Sequence, residues 1–269
     1  MGINKIVYSI MLWNIHGANG YGLYKTPDFV INKVLSEKKD IVILTEFIRA
    51  SEWKSICERF SNYYWIYTYP TPSQNNNEIL IMIKKGLFVI EQSNDMGNLV
   101  PIILSENKIN PDFLEVPLST NKNTLHIIGM RIRDKDHIPQ FDILKNYLNS
   151  LPKNDLVICG GDFNEWANPI KAKIPTGYSV NTPRYKMIPN DFQSLSTWSA
   201  VPKNKNTEKT GKAIIDHIVS KNILSVSLSD YLWDFVSKDN GYGSRKSDEY
   251  KSDLPCLPDH GILIGEFRI

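Results

Sequence analysis

Gly160-Gly161-Asp162-Phe163-Asn164 places a carboxylate and a carboxamide two positions apart, just past an apolar run, Leu156-Val157-Ile158-Cys159. The run reads as a buried strand, and the two glycines let the backbone turn tightly. In extended chain, residues i and i+2 project to the same side. Asp162 and Asn164 would then share one face. Phosphoryl chemistry needs such a pair: one group accepts a proton from water and another holds the phosphate. Gly-Asp-x-Asn is also a good turn sequence, so the segment gains chemical meaning only in company.

Other polar residues occupy comparable places. Asn14, Glu46, Asp216 and the pair Asp259-His260 each lie in an apolar strand, at its end, or immediately before one. A strand end carrying an acid or amide is a rigid place on which to build a site. Magnesium takes oxygen ligands and keeps several waters, so one or two carboxylates plus substrate phosphate oxygens suffice. An inventory of carboxylates, amides and one histidine suits that demand. A structural zinc site does not fit, because no close Cys/His cluster exists.

The elements that must position these residues follow from apolar patterning. Residues 5–13 read as a strand running into Asn14. Thr26-Pro27 starts a helix, with Thr26 as N-cap, and Phe29, Val30, Val34 and Leu35 share one face. Ile41–Leu44 is a second buried strand, ending at Thr45-Glu46. Ser51 caps a short helix carrying Trp53, Ile56, Cys57 and Phe60. Strands are expected over Tyr63–Tyr69, Ile79–Ile83, Leu87–Ile90, Phe113–Leu118 and Thr124–Arg131. A helix over Ile138–Leu151 precedes the strand into Asp162, and Ile214–Val219 and Ile262–Ile269 are the last strands. Residues 171–212 and 237–258 read as long loops, a type that in compact domains is usually functional or disordered. Strand and motif follow both loops, so neither reads as a linker, and one domain with many strands and a few helices is expected.

Composition sets the outer limits. The chain has 269 residues, 42% hydrophobic and 22% charged, ordinary for a soluble globular protein. A net charge of +2, from 31 basic and 29 acidic residues, is no polycation, so a nucleic-acid partner must be argued locally. Cys57, Cys159 and Cys256 form no C-x-x-C pair and read as reduced thiols of a cytoplasmic protein. Residues 6–13 are apolar but too short to span a membrane.

Taken in order, Leu12-Trp13-Asn14, Ile43-Leu44-Thr45-Glu46, Gly161-Asp162-Phe163-Asn164, Ile215-Asp216-His217-Ile218 and Pro258-Asp259-His260 resemble the endonuclease/exonuclease/phosphatase family. That family includes deoxyribonucleases, apurinic/apyrimidinic endonucleases, inositol polyphosphate phosphatases and neutral sphingomyelinases. No single segment is specific; the five in this order are. The resemblance implies an α+β fold, a four-layered sandwich of two mostly antiparallel sheets packed face to face and flanked by helices. It would be formed by residues 1–269 as a single domain, with the site at one edge. It also implies roles. Glu46 would bind Mg²⁺, for which Mn²⁺ can substitute, with Asn14 beside it and Asp259 ligating directly or through water. Asp162 would position or deprotonate the attacking water, and Asn164 would hold a phosphate oxygen. His260 would stabilise the transition state or move a proton, with Asp216 orienting its ring. The implied protein is a metal-dependent phosphodiesterase, foremost a nuclease acting on DNA or RNA.

The chain departs from the family pattern in places. Many nucleases carry a second metal-binding acid where this chain has His16, which would serve instead as a phosphate contact or soft-metal ligand, or simply be a polar residue at a strand end. Relatives often place a His near the end of the strand that here ends in Arg131, and a guanidinium is itself a strong phosphate ligand. The usual Ser-Asp-His is Pro258-Asp259-His260. Trp198 sits where relatives often place a substrate-facing aromatic. Tyr63, Tyr64, Trp65, Tyr67 and Tyr69 could stack bases, but such strands are normally core packing. His217 should point away from the site. Two alternatives stand beside the nuclease reading. One is hydrolysis of a small phosphoester such as an inositol phosphate, nucleotide or phospholipid headgroup. The other is a non-catalytic binding module on the same fold.

Overall fold

The computed structural model describes residues 6–15, 26–49, 52–71, 77–88, 102–104, 109–120, 122–133, 137–183, 214–237, 240, 257–258 and 260–269. Its strands are β1 (Val7–Asn14), β2 (Ile41–Phe47), β3 (Tyr64–Tyr67), β4 (Glu78–Lys84), β5 (Asp112–Ser119), β6 (Thr124–Arg131), β7 (Leu156–Asp162), β8 (Ser179–Asn181), β9 (Asp216–Lys221), β10 (Ser225–Leu228) and β11 (Leu263–Arg268). Helices α1 (Asp28–Glu37), α2 (Trp53–Ser61), α3 (His137–Ser150) and α4 (Ala167–Lys173) interrupt them. The strands form two sheets, ordered β10-β11-β1-β2-β4-β3 and β5-β6-β7-β9-β8. Among the described residues, β1 with β2 and β6 with β7 pair in parallel and the other neighbours are antiparallel. Each parallel pair encloses one helix, α1 in the first sheet and α3 in the second.

Strand alternation builds four layers. Ile10, Leu12, Ile41, Ile43, Ile79 and Ile81 of the first sheet meet Leu114, Val116, Leu125, Ile127, Ile158 and Ile218 of the second. The alternate residues face the helices. Met11, Trp13, Val42 and Leu44 pack on Val30 and Val34 of α1 and Ile56 and Phe60 of α2. Ile128, Met130, Val157 and Cys159 pack on Phe141, Leu144 and Leu148 of α3 and Ile170 of α4. The architecture is an α+β sandwich of two sheets flanked by helices.

Several local expectations need correction. Pro27, not Thr26, is the N-cap of α1, and no side chain caps it. Proline's missing N–H makes that cap free of one orphan donor, and Thr26 is buried instead. Glu52 precedes α2 without a side-chain cap, and Ser51 lies outside the described residues. Leu87 and Phe88 form bends rather than strand. Residues 171–183, read as loop, contain the end of α4 and all of β8, and β10 was not expected. Tyr64, Tyr67 and Tyr69 are buried in the core, whereas Tyr63 is exposed. Cys57 and Cys159 are free thiols, and Cys256 lies outside the described residues. Among the described residues no helix is long and apolar enough to cross a membrane.

Candidate active site

Strand direction collects the polar residues at one edge. Asn14 ends β1 and pairs with Thr45 of the parallel β2, one residue before Glu46. Arg131 ends β6 and pairs with Asp162, which ends the parallel β7. Both parallel pairs thus point their carboxyl ends the same way, where open α/β sheets bind ligands. Asp162 also pairs with Asp216, the first residue of the antiparallel β9. β11 runs antiparallel to β1 with Leu263 against Leu12, so His260 arrives beside Asn14.

Alternation aims most of these side chains into the space between the sheets. Leu12, Ile127, Ile158 and Ile218 face that space. By the period of two, so do Asn14, Arg131, Asp162 and Asp216. Glu46 breaks the rule. Even-numbered Val42 and Leu44 face the helices, so regular pairing would send Glu46 there too. A register shift between Leu44 and Phe47 inserts one extra residue opposite β4, and Glu46 takes φ 53°. This bulge turns the carboxylate back towards Asn14, the re-aiming for which bulges recur beside active sites. Arg49 clamps the bulge by donating to both oxygens of Glu78, Nε to Oε2 at 2.8 Å and Nη2 to Oε1 at 3.1 Å. Glu78 is the residue paired with Phe47. Asn164 likewise has φ 46°. Left-handed backbone at a non-glycine residue costs on the order of 1–3 kcal/mol and marks functional positions.

Two glycines let the sheets close on each other behind these residues. A Cβ at Gly129 would lie 2.5 Å from Ile79 Cγ2 and 2.9 Å from Ile43 Cγ2. One at Gly160 would lie 2.8 Å from Leu12 Cδ2. Both glycines stand two residues before a site residue, Arg131 and Asp162. The approach brings the first sheet's Asn14 and Glu46 within hydrogen-bond reach of the second sheet's acids.

Asn14 is the hub. Its Nδ2 lies 3.0 Å from Glu46 Oε1, 3.1 Å from Asp162 Oδ2 and 3.3 Å from His260 Nε2. Two amide protons cannot serve three acceptors at once, and the carboxylates are nearer. Asp162 also accepts from Asn164, whose backbone N–H reaches Oδ1 at 2.9 Å and whose Nδ2 lies 3.3 Å from Oδ2. Asn164 Nδ2 donates to Ile132 O at 2.6 Å, fixing the amide. His260 Nδ1 approaches Asp216 Oδ2 at 2.9 Å and Oδ1 at 3.1 Å. Those partners select the tautomer with the proton on Nδ1. Trp13 Nε1 donates to the carbonyl of His260 at 3.2 Å and holds its backbone.

Arg131 stands among the acids. Its Nε is 2.8 Å from Glu46 Oε1 and 3.9 Å from Asp162 Oδ2, and Nη1 is 3.3 Å from Asp112 Oδ2. The Nε–H makes no aligned hydrogen bond, so the contact with Glu46 is an ion pair only. Arg133 holds the other oxygen of Asp112 at 2.9 Å.

Burial dominates the electrostatics. It pushes the Asp162 carboxyl up to about 7, against the pull of His260 and Arg131 and helped by repulsion from Asp216. Burial also raises Asp112, despite Arg133 and Arg131. For Arg131 burial opposes the charge, but Glu46, Asp162 and Asp112 outweigh it and hold its pKa above the ordinary value.

Ligand atoms of Asp162, Asp216 and His260 all lie within 4.8 Å of one another and could hold a metal. Asp216, however, already serves His260 Nδ1 through both oxygens. The carboxylates of Glu46 and Asp162 also meet at the Asn14 amide, an oxygen donor set that suits a hard divalent cation.

The structure thus brings together Asn14, Glu46, Arg131, Asp162, Asn164, Asp216 and His260. His16, Asp259, Trp198 and the lysines at 203, 205, 209 and 212, a basic run of the long 171–212 segment that could meet a polyanion, lie outside the described residues. His217 points the other way, with Nε2 2.9 Å from Glu165 O and its ring edge-on to Phe163. Sequence reasoning passed over Asp112, whose strand start carries no motif, and Tyr231, which bonds Asp216 from an aromatic run that reads as core. It also passed over Trp166, 48% exposed and two residues beyond Asn164.

Comparison with known proteins bears on the family and the fold. The model of the Endonuclease/Exonuclease/phosphatase family matches residues 11–248. Comparison with curated proteins gives no significant sequence match. Among solved structures, truncated Caenorhabditis elegans TDP2 is 18% identical with a TM-score of 0.63, covering 98% of each chain. D. rerio TDP2 complexed with a single strand DNA product is 15% identical with a TM-score of 0.61, covering 97% of this chain and 98% of that one. Beta toxin from Staphylococcus aureus is 14% identical with a TM-score of 0.59, covering 96% and 99%. Such low identities speak to fold alone, whereas the family model spans most of the sequence. This chain belongs to the Endonuclease/Exonuclease/phosphatase family.

Proposed function

We propose that the protein is a divalent-metal-dependent phosphodiesterase acting on nucleic acid. The observation that carries the reading is Asp162: a fully buried carboxylate at the end of β7, within reach of two asparagines and facing His260. Burial tunes it towards the operating pH of a general base, so it takes a proton from the attacking water. Asn164 and Arg131 hold non-bridging phosphate oxygens. For Arg131 the unaligned Nε–H is the donor in need of an acceptor. His260, its Nδ1–H held by Asp216, donates through Nε2–H when the ring carries both protons, towards charge developing on the phosphoryl oxygens. Glu46 and Asn14 would hold the cation, and the family resemblance adds Asp259 as a further ligand. Mg²⁺ or Mn²⁺ bound there would neutralise charge on the phosphate and lower the pKa of bound water.

Two observations favour nucleic acid as the substrate. The fold resembles that of a TDP2 solved with single strand DNA product. Trp166, half exposed beyond Asn164, offers an indole face on which a base can stack. The near-neutral charge of +2 favours the alternative, a small phosphoester. Incubation with plasmid, single-stranded DNA, RNA and small phosphoesters, with Mg²⁺, Mn²⁺ or EDTA, separates the two. Metal-dependent cleavage of a polynucleotide supports the nuclease. Turnover of small esters alone assigns the alternative.

A further inference from the structure

Asp216 has a second partner besides His260. Tyr231 Oη donates to Asp216 Oδ2 at 2.8 Å, and the backbone N–H of Asp216 reaches the same Oη at 3.3 Å. The N–H takes a lone pair of the phenol oxygen and leaves the O–H aimed at the carboxylate. Oδ2 therefore receives the phenol and, at 2.9 Å, His260 Nδ1.

The tyrosine cannot move away from this task. It is fully buried. Leu232, the next residue, makes an antiparallel bridge to Ile262 through a reciprocal pair of 2.9 Å backbone hydrogen bonds, fixing residue 231 beside the segment that follows His260. Gly261 itself packs on the ring. A Cβ there would lie 2.9 Å from Tyr231 Cβ and 3.0 Å from its Cδ1. Burial, with the nearby Asp216, holds the phenol's pKa well above its ordinary value, so it stays a donor. A phenylalanine would fill the same space without the cost of burying a hydroxyl. Among the described residues, the hydroxyl's hydrogen-bond partners are the two groups of Asp216.

We propose that Tyr231 is a positioning residue: its hydroxyl fixes the rotamer of Asp216 and thereby the orientation of the His260 ring. Without it, Asp216 keeps one donor fewer and is free to turn towards the neighbouring cleft, and His260 loses its anchor. The activity part of the test rests on the phosphodiesterase reading above; the spectroscopic part does not.

The experiment compares wild type, Y231F, H260A and the double variant on bis(p-nitrophenyl) phosphate with Mn²⁺, alongside ¹⁵N–¹H NMR of histidine-labelled protein. Y231F should lower kcat roughly ten- to a hundredfold, the usual effect of removing an outer partner of a site residue, with KM unchanged. Y231F should add no further loss in the H260A background. The His260 ring resonances should shift in Y231F while those of His126 and His217 stay in place. An equal loss in both backgrounds, an unchanged kcat, or an unshifted His260 resonance would overturn the proposal. Wild-type protein that hydrolyses no phosphodiester would instead remove the phosphodiesterase reading, and the NMR result would still decide the role of Tyr231.

Discussion

Asp162 is where stability and chemistry conflict. Burial pushes its folded pKa up to about 7, from an ordinary value of 3.8. As pH rises from about 4, the unfolded chain releases this proton first, so the group costs stability progressively until about pH 7 and fully above it. Asp162→Asn removes that cost. The metal-free variant should melt higher than wild type at pH 8, and the two should converge towards pH 4 in thermal denaturation monitored by circular dichroism. Hydrolysis should fall about 10²–10⁴-fold, the range for losing a general base. Trp166 carries a prediction of another kind. Trp166→Ala should raise KM for single-stranded DNA several-fold, as expected for losing one stacking contact of about 1–3 kcal/mol. It should leave turnover of bis(p-nitrophenyl) phosphate unchanged. Equal effects on both substrates in steady-state kinetics would remove the stacking role.

At the scale of elements, the site depends on two parallel strand pairs, one bulge and two glycines. Arg49 donates to both oxygens of a Glu78 that is almost fully buried. Arg49→Met removes that acid's guanidinium partner, leaving it the Thr68 hydroxyl at 2.9 Å, and should cost up to about 3–5 kcal/mol in chemical denaturation. If Arg49 holds the bulge that presents Glu46, Mn²⁺ affinity measured by calorimetry should also fall. The far end of the second sheet holds a separate polar cluster. His126 lies 2.5 Å from Glu115 Oε1 and 3.1 Å from Asp155 Oδ2. Burial works against its charge, but the two acids prevail and raise its pKa. Its contribution to stability is complete below the unfolded value near 6.5 and is lost as pH rises through the higher folded value. His126→Gln should therefore lower Tm more at pH 5.5 than at pH 9. Much of this element plan was legible in the sequence. Asp162 obeys simple alternation, so its apolar run disclosed both the strand and the acid at its end. Glu46 does not obey it, because a bulge depends on pairing with a strand more than thirty residues away. α4 was hidden by Asn168-Pro169, although proline is tolerated in a first helical turn. β8 and β10 are short and polar and carry too little pattern to read. Tyr231 looks like core in sequence because its hydroxyl matters only through Asp216, fifteen positions away.

Over the whole molecule, neither sheet holds a complete site. Asn14 and Glu46 come from one sheet, Arg131, Asp162, Asn164 and Asp216 from the other, and His260 enters just ahead of β11 in the first. The interior between the sheets is therefore what aligns the chemistry, and Gly129 and Gly160 set the separation at the edge. The same assembly explains why the site could be listed from sequence but not drawn: Asn14 and Asp162 meet across 148 residues. A net charge of +2 gives the molecule little long-range attraction for a polyanion, so recognition falls to the cleft and its rim. The central claim is that this edge hydrolyses phosphodiesters with a bound cation and Asp162 as base. It is tested most directly by the initial rate on bis(p-nitrophenyl) phosphate, for wild type and for folded Asp162→Asn, with Mn²⁺ and with EDTA. Turnover by wild type that needs the metal and is lost in the variant is the expected result. Equal turnover by both proteins, or turnover undiminished by EDTA, would contradict it.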